Sequence, residues 1–323
     1  MDIIGTGEVE PEVVRMNKSI SFSKAVEGYL LNARARHLSQ NTINDYLNTF
    51  RKFADFIGED LPIAVIDHHK VEVFLANMPV SKKTLLNYHV GLSALWTWAE
   101  AENLVKEHIL RKVHRPKPEK RAIKPYTENE VRSMLNALVH SRSYSRPGKR
   151  ESVHNLQHGE RNRAIILLLL DTGIRSTELC TLRIHHIDLK SRWVRIYGKG
   201  DKERVIPFSA RTGKTIWKYL ATRKDDDSGD YLFITNNGDP LNNDSLLKAM
   251  INIGRRAGVL GITVHRFRHT FAVTYLRNSG DAFSLQMMLG HSTMEMVKTY
   301  LGLAQADLEN NHKIASPVDN WRL

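Results

Sequence analysis

The chain has 323 residues, enough for about two domains, and it is 41% hydrophobic and 25% charged, as an ordinary globular protein is. Its 47 lysines and arginines against 35 acidic residues leave a net charge of +12, which favours a polyanionic partner, nucleic acid before an anionic membrane surface. The single cysteine, Cys180, excludes an intramolecular disulfide and fits a reducing compartment, and no apolar run reaches the roughly 18 residues of a membrane span.

Residues 1–19 form an N-terminal extension with no apolar signal-peptide core, so the expected location is cytoplasmic, at the nucleoid. Periodicity then predicts a helix over 22–37, with Phe22, Ala25, Val26, Tyr29, Leu30 and Ala33 on one stripe. A second runs over 40–57, between Ser39 as N-cap and Gly58 as stop, and two more cover 68–77 and 81–101. Residues 20–110 therefore read as one domain, a bundle of four or more helices. Its polar faces carry Arg34, Arg36, Arg51, Lys52, Lys82 and Lys83. Such charges are ordinarily a solvated face; in a chain this basic they are also candidates for contact with a DNA backbone.

Residues 111–125 read as a linker, because three prolines deny them a helix. Seven lysines or arginines against one glutamate, Arg115 and Lys117 among them, also make this stretch a candidate strap along phosphates. The second domain is expected over 126–305 and opens on a capping box, Thr127 with Glu130. A long polar loop covers 140–160, followed by a buried helix near 161–171, the run Thr172-Gly173-Ile174-Arg175-Ser176-Thr177-Glu178-Leu179, and a short helix. Residues 193–197 and 203–207 alternate as strands, with Gly198-Lys199-Gly200-Asp201 turning between them, so they form a hairpin. Helices follow over 212–223, 243–257 and 264–278. Gly290 suits the left-handed position that ends a helix, and Ser292 with Glu295 reads as the capping box of the next one, which carries Tyr300. The fold class is mainly α with a small antiparallel sheet. Residues 306–323 form a tail with apolar anchors at Leu308, Ile314, Trp321 and Leu323.

Several chemistries are excluded. No glycine loop of the nucleotide-hydrolysing kind is present, and no cofactor is expected. His154 and His158 have the spacing of a zinc pair but lack the accompanying glutamate and any cysteine cluster, so no metal is expected. What remains is a scattered set: Arg175, Lys199, His265, Arg268, His291 and Tyr300. Singly, each has an ordinary explanation; Tyr300 alone reads as a half-buried aromatic or as a nucleophile. Together they suit attack on a phosphodiester. Two guanidiniums can hold the non-bridging oxygens bidentately, and a lysine or histidine can protonate the leaving alkoxide. A tyrosine nucleophile would conserve the bond energy in a covalent phosphotyrosine.

These motifs resemble the tyrosine recombinase family, the phage-type integrases that include the Xer and Cre recombinases. Residues 172–179 resemble its first arginine box and residues 198–204 its hairpin lysine. His265-Arg266-Phe267-Arg268-His269-Thr270 resembles its His-x-x-Arg box, and Leu289-Gly290-His291-Ser292 with Tyr300 its terminal box. Residues 39–57 resemble its SAM-like core-binding domain. The resemblance implies a two-domain chain, a SAM-like helical bundle followed by the catalytic domain. It implies that Tyr300 attacks the scissile phosphate to give a 3′-phosphotyrosine while Arg175 and Arg268 hold its oxygens. Lys199 protonates the 5′-hydroxyl, His265 assists proton transfer at the tyrosine, and His291 donates to the phosphate. Glu178 supports a site histidine, His269 packs structurally, and Lys202, Arg204 and Arg266 are candidate phosphate contacts. The implied partner is double-stranded DNA bearing a specific recombination site. A homo-tetramer would exchange strands through a Holliday junction without metal or nucleotide, its tails docking on neighbouring protomers. The alternatives are a type IB topoisomerase and a non-catalytic DNA-binding protein.

Overall fold

The computed structural model describes residues 20–119, 123–138, 158–198, 203–223, 230–235, 237–290, 293–304, 312 and 316. The chain divides into two compact units, Met1–Arg121 and Ala122–Leu323.

The first unit is four helices: α1 (Phe22–Ala35), α2 (Gln40–Ile57), α3 (His68–Asn77) and α4 (Lys82–Ala101). Each starts where the sequence supplies a cap. Ser21, Ser39, Asp67 and Ser81 accept the backbone N–H groups of Lys24, Thr42, Lys70 and Thr84, satisfying donors that the first turn leaves unpaired. The buried face is largely aromatic. The Phe53 ring lies 5.4 Å from Phe22 and 5.2 Å from Phe74, both edge-on, with Trp96 buried beside them. Ile109, Leu110 and Val113 join this core, so the start of the expected linker at 111 packs with the first unit rather than running free of it.

The second unit opens at α5 (Glu128–Asn136), where Thr127 and Glu130 form the expected capping box. The buried helix α6 (Gly159–Thr172) and the short α7 (Ser176–Cys180) follow. The sheet has three strands rather than two: β1 (Ile187–Asp188), β2 (Trp193–Tyr197) and β3 (Glu203–Pro207), antiparallel in that order. Val194 pairs with Ile206 and Ile196 with Arg204, so the buried face of β2 meets Ile206 and Arg204 on β3. Then come α8 (Ala210–Leu220), α9 (Asn243–Ala257), α10 (Val264–Arg277), α11 (Ala282–Leu289) and α12 (Glu295–Ala304). Helix α8 begins two residues earlier than its apolar stripe suggests, because Ser209 caps it.

Two buried clusters support this unit. The larger gathers α5, α6, the sheet, α8, α9 and the first turn of α10. The smaller holds Phe271 to Leu276 of α10 with Leu285, Leu289, Val297, Tyr300 and Ala304. Tyr300 sits in the second turn of α12. The expected loop over 140–160 lies almost wholly outside the described residues, as do Ser292 and most of the tail.

Candidate active site

Two glycines end helices beside one another. Gly173 closes α6 at φ 61° and Gly290 closes α11 at φ 62°. The last carbonyls of a helix have no partner within it and lie at its negative pole, so cations are favoured there. Here arginines fill those places. Arg268 donates to the carbonyl of Gly173 at 2.8 Å and to that of Leu289 at 2.7 Å. Arg204 donates through Nε to the carbonyl of Met288 at 2.8 Å, and Arg175 reaches that of Gly290 at 3.4 Å. Three successive carbonyls, the last two of α11 and that of its C-cap Gly290, thus hold three guanidiniums. Arg268 is only 2% exposed. Burial first, and then the charge of Arg175, bring its pKa down to about 10, so it stays cationic at neutral pH.

The carboxylate of Glu178 ties two of these arginines together. It accepts the backbone N–H of Arg175 at 2.7 Å and its Nη1 at 2.9 Å. It also accepts both terminal nitrogens of Arg204, at 3.0 and 2.8 Å. Burial alone would raise the Glu178 pKa, but the hydrogen bonds from Arg204 and from the Arg175 backbone outweigh it and hold the carboxyl below its usual range. Two expectations are corrected here. Among the described residues Glu178 supports arginines and no histidine, and Arg204 is no open phosphate contact, because its guanidinium is taken up by Glu178 and α11. Strand alternation is the cause: Arg204 shares the inner face of β3 with Ile206. Arg175 keeps a side chain 40% exposed and presents its remaining donors outward.

His265 and His269 stand four apart on α10 and share a face, their rings 4.3 Å apart. His265 is the outer of the two; burial, then the charges of Arg268 and Arg175, lower its pKa. His269 is the inner one, and its Nδ1 lies 2.9 Å from the hydroxyl of Tyr300. Tyr300 is fully buried. Burial raises its pKa against the opposing charges of Arg268 and Arg175, and burial, His265 and Arg268 push His269 down to about 4. At neutral pH the pair is therefore phenol and neutral imidazole. His269, expected to pack structurally, is the hydrogen-bond partner of Tyr300. Its position one turn after His265 was the available signal.

Arg266 is also corrected. Its guanidinium lies 4.0 Å over the Tyr126 ring, pairs with Glu130 at 3.0 Å and donates to the carbonyl of Lys124 at 2.8 Å. It pins residues 124–126 to α10 and is not open to phosphate. Arg51, Lys52, Lys82, Lys83, Arg115 and Lys117 are exposed, Lys82 in a surface pair with Glu119 at 3.0 Å. Lys199, Lys202 and His291 lie outside the described residues. Among the described residues no helix is long and apolar enough to cross a membrane, and no group of three His, Cys, Asp or Glu side chains is placed to hold a metal.

A family model described as the phage integrase family matches residues 126–306, more than half of the chain; the chain belongs to that family, the tyrosine recombinases. Among individual relatives, tyrosine recombinase XerC of Staphylococcus epidermidis is 27% identical over 290 residues, covering 87% of this chain and 93% of the relative. XerC of Bacillus subtilis strain 168 is 27% identical over 294 residues, covering 87% and 92%. Two solved structures share the fold. A lambda integrase tetramer bound to a Holliday junction aligns with a TM-score of 0.71 at 17% identity, over 88% of this chain and 78% of that one. XerH recombinase in a post-cleavage complex with a palindromic difH substrate aligns with a TM-score of 0.68 at 22% identity, over 91% and 84%.

Proposed function

We propose that this protein is a site-specific DNA recombinase that cleaves and rejoins DNA through a 3′-phosphotyrosine at Tyr300. One observation carries the assignment: two guanidiniums, Arg175 and Arg268, are anchored on the same end of α11 beside a buried tyrosine hydroxyl whose ionisation both of them favour. A scissile phosphate seated against the free donors of Arg175 would bring its non-bridging oxygens into a field fixed before the reaction begins. Such preorganised donors act on the charge that develops in the transition state, and losing one typically costs about 10² to 10³ in rate. Tyr300 Oη attacks phosphorus, the phosphotyrosine bond forms, and the 5′-oxygen leaves with a proton from Lys199. Rejoining is the reverse, with a 5′-hydroxyl as nucleophile and Tyr300 as leaving group. His265 feels the charges of Arg268 and Arg175, and its role, with that of His291, would be to donate to the phosphate.

Arg51, Lys52, Lys82, Lys83, Arg115 and Lys117 are the proposed contacts to the DNA backbone. They would position the duplex without reading its sequence. Four copies would act on two DNA sites through a Holliday junction, the arrangement named for the lambda integrase structure, with the tail after Ala304 docking between protomers.

The test starts without a known site. The protein is incubated with nicked duplexes of randomised sequence, and strands that stay bound in detergent are recovered. The expected outcome is a covalent adduct with a defined subset of sequences, absent with Tyr300→Phe. If no sequence in the pool yields an adduct, the assignment fails.

A further inference from the structure

The resemblance gives the proton at Tyr300 to His265, yet the imidazole in contact with the hydroxyl is that of His269. We propose that His269 is a further catalytic residue: its Nδ1 takes the phenolic proton of Tyr300 as Oη attacks phosphorus, and gives it back when the strand is rejoined. This rests on the reading of Tyr300 as nucleophile given above.

Three observations support it. The first is contact. His269 Nδ1 lies 2.9 Å from Tyr300 Oη, within the distance a general base requires. The second is protonation state. The buried phenol retains its proton and the imidazole is neutral, so Nδ1 offers a lone pair to the phenolic O–H and the ring hydrogen belongs on Nε2. The third is the surroundings. Among the described residues, the groups that act on His269 are His265 on the same helix, Arg268 one residue before it, and Tyr300 on α12. On the reading given above, Arg268 lies beside the scissile phosphate. A bound phosphate lays negative charge against it and relieves part of the push that keeps His269 from accepting a proton. The base thus strengthens when substrate is present.

The proton balance is complete. In cleavage the Oη–H bond breaks and Nδ1–H forms, Oη–P forms and P–O5′ breaks, and O5′ takes its proton from the Lys199 ammonium proposed above. His265, which feels the charges of Arg268 and Arg175, is then left to the phosphate rather than to the nucleophile.

The experiment uses a nicked duplex selected by covalent capture with the unsubstituted protein, prepared with an ordinary scissile phosphate and with a bridging sulfur in place of the 5′-oxygen. Sulfur leaves without a proton, so defects on the leaving side vanish with that substrate. His269→Ala should slow single-turnover cleavage about 10²-fold, a typical contribution of general acid–base catalysis. The loss should be equally large with the sulfur substrate, and it should shrink as pH rises toward the range where phenolate forms unaided. His269→Asn is the second variant. Its amide fills the place of Nδ1 and keeps the packing but takes up no proton, so it should be slow in the same way even if the alanine variant fails to fold. An asparagine variant as fast as the unsubstituted protein would overturn the proposal, as would a defect that the sulfur substrate abolishes or one insensitive to pH. Failure of the nucleophile reading is seen separately, as adduct formation by Tyr300→Phe.

Discussion

Glu178 places one carboxylate between two guanidiniums, with only 5% of its side chain exposed. Arg204→Ala removes two hydrogen bonds from that buried charge and one from Met288. Breaking a buried ion pair on one side typically costs about 3–5 kcal/mol, and urea unfolding of the variant should show a loss of that order. Arg204→Lys should recover little of it, because an ammonium cannot pair bidentately with Glu178 while also reaching the carbonyl of Met288. Stability should depend on acid in the same direction. The folded pKa of Glu178 lies below the ordinary glutamate value of 4.5, so its contribution is present above that value and is lost as pH falls through the folded pKa. The chemistry of Arg204 was written in the sequence as a basic residue beside a hairpin; its partner was not. Alternation says that Arg204 and Ile206 share a face, but which face is buried depends on β2 lying across it.

Between elements, the two glycine helix ends should respond differently to alanine. Both adopt the left-handed conformation, which costs a residue with a side chain about 1–2 kcal/mol. At Gly173 an added Cβ would also fall 2.3 Å from the Phe271 ring, inside the smaller cluster. At Gly290 the nearest atoms it would meet are those of the Arg204 guanidinium, at 3.2 Å. Gly173→Ala should therefore unfold at lower urea than Gly290→Ala. Gly290→Ala should lose more cleavage than its stability explains, because it displaces Arg204 and, through Glu178, Arg175. Comparing the two unfolding midpoints with the two cleavage rates checks this. Gly290 was legible as a helix stop. The helix it stops was not laid out in advance, because Ala282-Phe283-Ser284-Leu285-Gln286-Met287-Met288-Leu289 is apolar nearly all the way round and shows no stripe. Strand β1 has two residues, too few for alternation to register.

For the molecule as a whole, each unit carries its own buried cluster, and the sequence showed this wherever helical stripes were long. It was blind where partners come from far along the chain: Arg268 bonds Gly173 across 95 residues and His269 meets Tyr300 across 31. Those pairings belong to the fold, and no local pattern encodes them. They also leave the site unevenly supported. Among the described residues the larger cluster of the second unit has 27 buried members and the smaller has nine. Ile174, Leu179 and Ile206, close in sequence to Arg175, Glu178 and Arg204, belong to the first, while Tyr300 and Leu289 belong to the second and Met288 packs against both. Helix α11 buries Leu285 and Leu289 but leaves Phe283 71% and Met287 75% exposed. A patch so thinly anchored is expected to open as a unit well before the rest of the domain melts. On warming, cleavage should disappear at a lower temperature than helical circular dichroism does, and should return on cooling. Heat would act on this enzyme first as a reversible switch and only later as a denaturant.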